Sequence, residues 1–100
     1  MNRLRLEASI VEIGTLRYTP AGLPVIDVTL AHAGTSEEAG VPRQIEFSIP
    51  AVAIGPISAK VMALGLERPA QWAGFLAKKH RNSRTLVFHI TALQEFEKDC

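Results

Sequence analysis

Apolar and polar residues alternate at the start of the chain. Leu4, Leu6, Ala8 and Ile10 fall on one face; Arg3, Arg5, Glu7 and Ser9 fall on the other. That is the period of a half-buried strand. Val11 and Ile13 then occupy the formerly polar face, so the strand either becomes buried on both sides or changes phase at a bulge. Gly14 allows a bend just beyond. Residues 17–24 form a loop in which Pro20 can start a turn and Gly22 can adopt φ > 0. Residues 25–32 predict a second strand, with Ile26, Val28 and Leu30 inward and Asp27 and Thr29 outward. Residues 33–42 hold two glycines, a proline and the pair Glu37 and Glu38, which predicts a mobile loop. Residues 43–49 predict a third strand, with Ile45, Phe47 and Ile49 inward and Gln44, Glu46 and Ser48 outward. Pro50 is expected to end it.

Strict alternation then stops. Ile57, Val61 and Leu64 are spaced four and three apart, which predicts a short helix over residues 57–64. Pro56 suits its first turn and Gly65 its C-terminal cap. Residues 70–77 predict a fourth strand and residues 85–96 a fifth. Between them lies Lys78-Lys79-His80-Arg81-Asn82-Ser83-Arg84, a polar tip with turn chemistry at Asn82 and Ser83. The acidic tail carrying Glu95, Glu97 and Asp99 is expected to fray. Five strands with a helix between the third and fourth is the order of the OB-fold, a five-stranded Greek-key barrel whose strand 2–3 face and L12 and L45 loops bind oligonucleotides. The expected class is therefore all-β, one OB-fold domain over residues 1–100. Residues 17–24 are then L12, and the basic tip is L45.

Composition sharpens this picture. The chain has 11 Lys and Arg against 10 Asp and Glu. Without Lys78, Lys79, Arg81 and Arg84, seven cations would face ten anions, for a net charge of −3. The positive charge is thus concentrated on one hairpin, an arrangement suited to a polyanion such as nucleic-acid phosphate. The plainer reading is a solubilising loop that blunts strand edges. The one cysteine, Cys100, has no disulfide partner in the chain and excludes a cysteine-based metal site. No apolar run approaches the ~20 residues of a membrane span, and the N-terminus lacks the apolar stretch of a signal peptide. A cytoplasmic location is expected.

Catalysis finds no support. His32, His80 and His89 have no partner at a recognisable spacing, and hydrolase, zinc-protease and phosphate-loop motifs are absent. No enzyme activity, metal or cofactor is expected. Single-strand binders pair a positive groove with aromatic stacking, and only six aromatics are present. Tyr18, beside Arg17 in L12, is a stacking candidate. Trp72 and Phe75 are candidates for either stacking or packing. Phe47 and Phe88 share the phase of core residues. With few aromatics, binding should lean on charge and weaken steeply with salt.

The sequence resembles the primosomal replication protein N family, small relatives of bacterial single-stranded-DNA-binding protein. The matching residues are Asn2-Arg3-Leu4 and Leu6, then Arg17 with Thr19-Pro20-Ala21-Gly22-Leu23-Pro24, then Leu30 and His32. They continue with Glu38-Ala39-Gly40, Arg43-Gln44, Pro50, Gly74-Phe75 and His89. The resemblance implies a homodimer that binds single-stranded DNA and takes part in replication restart with the primosomal helicase and other primosome proteins. It carries the family's basic L45 residues over to the region of Lys78, Lys79, Arg81 and Arg84 and its basic L12 position to Arg17; with His80, Tyr18 and Arg43 added from the residue reading, these are the expected single-strand-binding residues. A strand-3 tryptophan used for stacking in the best-known members falls at Glu46 here, a carboxylate that repels phosphate. The alternative is a protein-interaction module whose basic hairpin docks onto a replication protein, with weak or no DNA binding.

Overall fold

In a computed structural model, which describes residues 1–96, the chain is built from β1 (Leu4–Ile13), β2 (Arg17–Tyr18), β3 (Pro24–Glu38), β4 (Val41–Ile54), α1 (Ile57–Leu64), β5 (Ala70–Lys78) and β6 (Leu86–Glu95). Residues 97–100, with the expected fraying at Glu97 and Asp99, lie outside the described residues. The sheet order is β1-β5-β6-β4-β3-β2, and a second pairing of β1 with β3 closes it into a barrel. Only β4 and β6 run parallel.

β1 performs the closure. Its first half, Leu4 to Ala8, pairs with β5, and its second half, Ser9 to Ile13, pairs with β3. The phase change expected from Val11 and Ile13 is a bulge: the β3 register shifts between Ile10 and Glu12. Val11 is left without an opposite residue, and both Val11 and Ile13 are exposed. A bulge bends a strand and tightens its twist, which lets one strand serve two walls. The N-terminal segment is fastened by Asn2. Its side-chain amide donates to the Leu76 carbonyl at 2.6 Å and accepts from the Leu76 N–H at 3.1 Å, as a backbone neighbour would.

Inside the barrel, Ile10, Ile26, Leu30, Ala53, Trp72 and Phe88 are sealed from solvent, and Val61 and Leu64 of α1 close one end. Trp72 is 1% exposed, and its indole N–H donates to the Ala8 carbonyl at 2.9 Å. A buried indole must satisfy its one donor, and here the partner is a backbone oxygen of β1.

Three expectations about the middle of the chain are corrected. Residues 33–42 are not a mobile loop. β3 and β4 run on as a hairpin whose tip is Ala39-Gly40, with φ of 53° and 77°. Two central residues with φ > 0 match the right-handed twist of flanking strands, so the turn favours a long ribbon. Pro50 does not end its strand either; it pairs with Thr29 in mid-ladder. Counted by alternation from the closing pair Glu38 and Val41, Pro50 stands at a non-hydrogen-bonded position of the β3 ladder. Pairing with β6 begins only at Ala51, so the missing N–H breaks no bond. Finally, Phe47 is not core. It is 42% exposed and lies against His32, ring centroids 5.2 Å apart. Its phase matches Ile45 and Ile49, but the ribbon has left the barrel wall at this point and little covers that face.

Candidate nucleic-acid interface

The basic tip is a structured loop between β5 and β6. Lys78 pairs with Leu86 at the end of the ladder. The Lys79 N–H then donates to the Thr85 carbonyl at 2.9 Å, and the Ser83 N–H donates to the His80 carbonyl at 2.9 Å. The Thr85 N–H donates to the Ser83 hydroxyl at 3.0 Å. Ser83 thus supplies the turn chemistry its residue type suggests, while Asn82 keeps a negative φ. Lys78, Lys79, His80, Arg81 and Arg84 are all exposed. None of the five forms an ion pair among the described residues.

Between this tip and the loop after β1 runs an open groove of about 970 Å³. Arg17, Tyr18, Lys79 and His80 all line it, so four of the expected site residues, two from β2 and two from the distant β5–β6 loop, are brought together. Its floor is the outer face of β3 and β4, where Asp27, Thr29, Pro50 and Val52 alternate with core residues. Register links the floor across three strands and continues it beside the groove onto β5: Asp27 is opposite Val52, Val52 opposite His89, and His89 opposite Phe75, which does not itself line the groove. Phe75 and His89 are stacked, with centroids 4.9 Å apart and planes 7° from parallel. Phe75 is 38% exposed, so one end of this row is an accessible aromatic ledge.

The row depends on Gly74. A Cβ there would lie 1.8 Å from the His89 carbonyl oxygen and 2.7 Å from the Phe88 ring. The bulge between Ala73 and Gly74 presses β5 onto β6, and only a residue without a side chain permits the approach.

The cations are unequal. The Arg17 guanidinium bonds the Asp27 carboxylate, and Arg43 bonds Glu38 at 2.9 Å. Both pairs are exposed, so they add little stability, but each partly neutralises a charge that a phosphate would need. Arg43 does not extend the groove as expected: it sits on the ribbon opposite Ser36, in the phase of Ile45 and Phe47 rather than of Pro50. Trp72 is likewise corrected as a stacking candidate, because its ring is enclosed and its N–H committed. Tyr18, 65% exposed at the rim, and Phe75 are accessible. Of the groove residues missed from the sequence, Glu12, Asp27 and His89 bear on its chemistry. Asp27 was readable, since its outward phase on the second strand is a period-two signal. His89 was not, because its role depends on register with Phe75 and Val52.

Among the described residues no cluster of three or more His, Cys, Asp or Glu is placed to hold a metal. No helix there is long and apolar enough to cross a membrane.

Comparison with known proteins places this geometry. Residues 2–92 match a family described as "Another single-strand binding protein family". The chain is 37% identical to the replication restart protein PriB of Nitrosomonas europaea over 89% of this chain and 82% of that one. It is 39% identical to PriB of Bordetella pertussis, over 90% and 84%. Among solved structures, PriB of Ralstonia solanacearum superposes with a TM-score of 0.89 at 39% identity, covering 97% and 99% of the two chains. The SSB domain of a Synechococcus protein shares the fold, with a TM-score of 0.70 at 21% identity.

Proposed function

The chain belongs to the PriB family of replication restart proteins, and we propose that it binds single-stranded DNA through the groove between L12 and the basic L45 hairpin while serving replication restart. The observation that carries this reading is the set of exposed cations on L45, none of them held by a carboxylate among the described residues, beside a groove whose floor is an OB-fold sheet face. Phosphates run past Lys78, Lys79, His80, Arg81 and Arg84, and Arg17 contributes a partly compensated charge. Bases face the sheet and stack on Tyr18 at the rim and on the Phe75 and His89 ledge, each stacked base being worth ~1–3 kcal/mol. These side chains bind a polyanion and present no group placed for catalysis. The protein works as a homodimer that pairs first strands. Among the described residues, Leu4 to Ala8 of β1 pair on one side only, with β5, which leaves a strand edge for a second copy. The DNA-bound dimer contacts the primosomal helicase.

The test is a titration of a 5′-labelled oligo-dT followed by anisotropy at rising salt. Micromolar or tighter binding at low salt, lost steeply as salt rises, supports the reading. No rise in anisotropy at low salt refutes it. The protein's own fluorescence should change little, since Trp72 is sealed in the core.

A second reading draws on the carboxylates. Glu46 stands where the best-known relatives carry a stacking tryptophan, and Glu12 and Asp27 line the groove. These favour a protein-docking role for the basic hairpin. Equal affinity for duplex and single strands, beside tight binding to the helicase, would select it.

A further inference from the structure

Of the acids in the groove, Asp27 is the one held in place. It lies on the β3 side of the floor, opposite Val52, and one of its oxygens, Oδ2, is bonded by Arg17. That contact occupies one carboxylate oxygen, and the side chain lines the groove. Among the described residues Oδ1 has no hydrogen-bond partner, and the side chain remains 52% exposed. Glu12, opposite Thr29 on the neighbouring strand, adds a second acid to the same floor. A phosphate chain cannot lie along two carboxylates at low energetic cost, whereas the L45 rim offers cations. The backbone therefore follows the rim and the base edges point to the floor.

A carboxylate oxygen that meets base edges is not neutral among bases. It accepts from an exocyclic amine, such as cytosine N4, and it repels a carbonyl acceptor such as O4 of thymine or uracil. We infer that Asp27 is a specificity-determining residue that biases this groove toward bases carrying an exocyclic amine, against thymine and uracil. The inference rests on the single-strand reading above and deepens it. The groove is then a reader with a modest base preference rather than a uniform clamp.

Oligo-dC and oligo-dU of equal length make the sharpest comparison, because both stack weakly and uracil lacks the thymine methyl. Anisotropy titrations at neutral pH and fixed salt should show oligo-dC bound roughly 3- to 10-fold tighter, the range for one partly exposed charge-assisted hydrogen bond. Asp27→Ala should bring the ratio close to one. It should raise the oligo-dU affinity, since Arg17 is then released to phosphate. Asp27→Asn, of nearly the same shape, should fall between, because its amide both accepts and donates. A wild-type ratio of one, a preference for oligo-dU, or a ratio unchanged in Asp27→Ala would overturn the inference and leave single-strand binding standing. Failure of both oligonucleotides to bind would overturn the single-strand reading and this inference together.

Discussion

Replacing Lys78, Lys79, Arg81 and Arg84 with alanine puts the L45 assignment at most risk. All four side chains are exposed and form no ion pair among the described residues. Their removal should therefore leave the barrel intact, with thermal unfolding within a degree or two of the parent. The effect on binding follows from counterion release. Each phosphate neutralised on a single strand contributes about −0.7 to the slope of log K against log salt, so four contacts account for roughly −2.8. Between 50 and 200 mM salt that slope corresponds to a loss of about 50-fold in affinity, which the variant should no longer show. The assay is anisotropy of labelled oligo-dT at four or more salt concentrations, with the slope as the readout. Arg17→Ala provides an internal control. Because Asp27 already holds that guanidinium, its loss should flatten the slope by clearly less than one L45 cation does. A quadruple variant whose slope matches the parent would refute the assignment, and one whose fold is lost would contradict the exposure on which the estimate rests.

Three further substitutions probe the scaffold and the floor. Gly74→Ala places a Cβ 1.8 Å from the His89 carbonyl. It should cost at least ~3 kcal/mol in urea unfolding by forcing the β5 and β6 backbones apart; a change under ~0.5 kcal/mol would show that the bulge is not tightly closed. Ala39→Asn supplies the residue type that φ > 0 favours at the ribbon tip. Hydrogen exchange of the β3–β4 ribbon amides should slow about two- to fivefold, and unchanged exchange would argue against the turn. Glu46→Trp removes a carboxylate on the phase of Pro50 and restores a stacking surface, so oligo-dT affinity should rise by about 1–3 kcal/mol. No gain would mean that the strand does not pass over β4 at that point.

What the sequence made legible was local. The bulge in β1 announced itself where Val11 and Ile13 broke an otherwise regular alternation, and α1 showed its apolar spacing between a proline and a glycine. The basic hairpin could be found because its cations are adjacent in the chain. Residues whose meaning depends on distant partners were harder. The alternation through Ile45, Phe47 and Ile49 gave the correct face of β4, but a period of two identifies a side and not what covers it. The ribbon outruns the barrel, and Phe47 is left half in solvent beside His32. Glycine and proline counts suggested a loop at residues 33–42 for a similar reason. A two-residue turn with both φ positive uses the same residues that a mobile loop would, and the register with β3 distinguishes them. Counting charges had a matching weakness. Arg17 and Arg43 enter the total as cations, yet Asp27 and Glu38 hold them, so the free positive charge is more confined to L45 than the sequence alone implies. The groove floor is the extreme case, since His89, Val52 and Asp27 come from three strands, the adjoining Phe75 from a fourth, and they meet only through register. In the proposed reading the two kinds of residue also divide the work of binding. Affinity for a polyanion needs only clustered cations, which neighbouring residues on one hairpin can supply. Discrimination between bases needs one carboxylate and one aromatic ledge held at a fixed separation, and only the closed barrel can fix it.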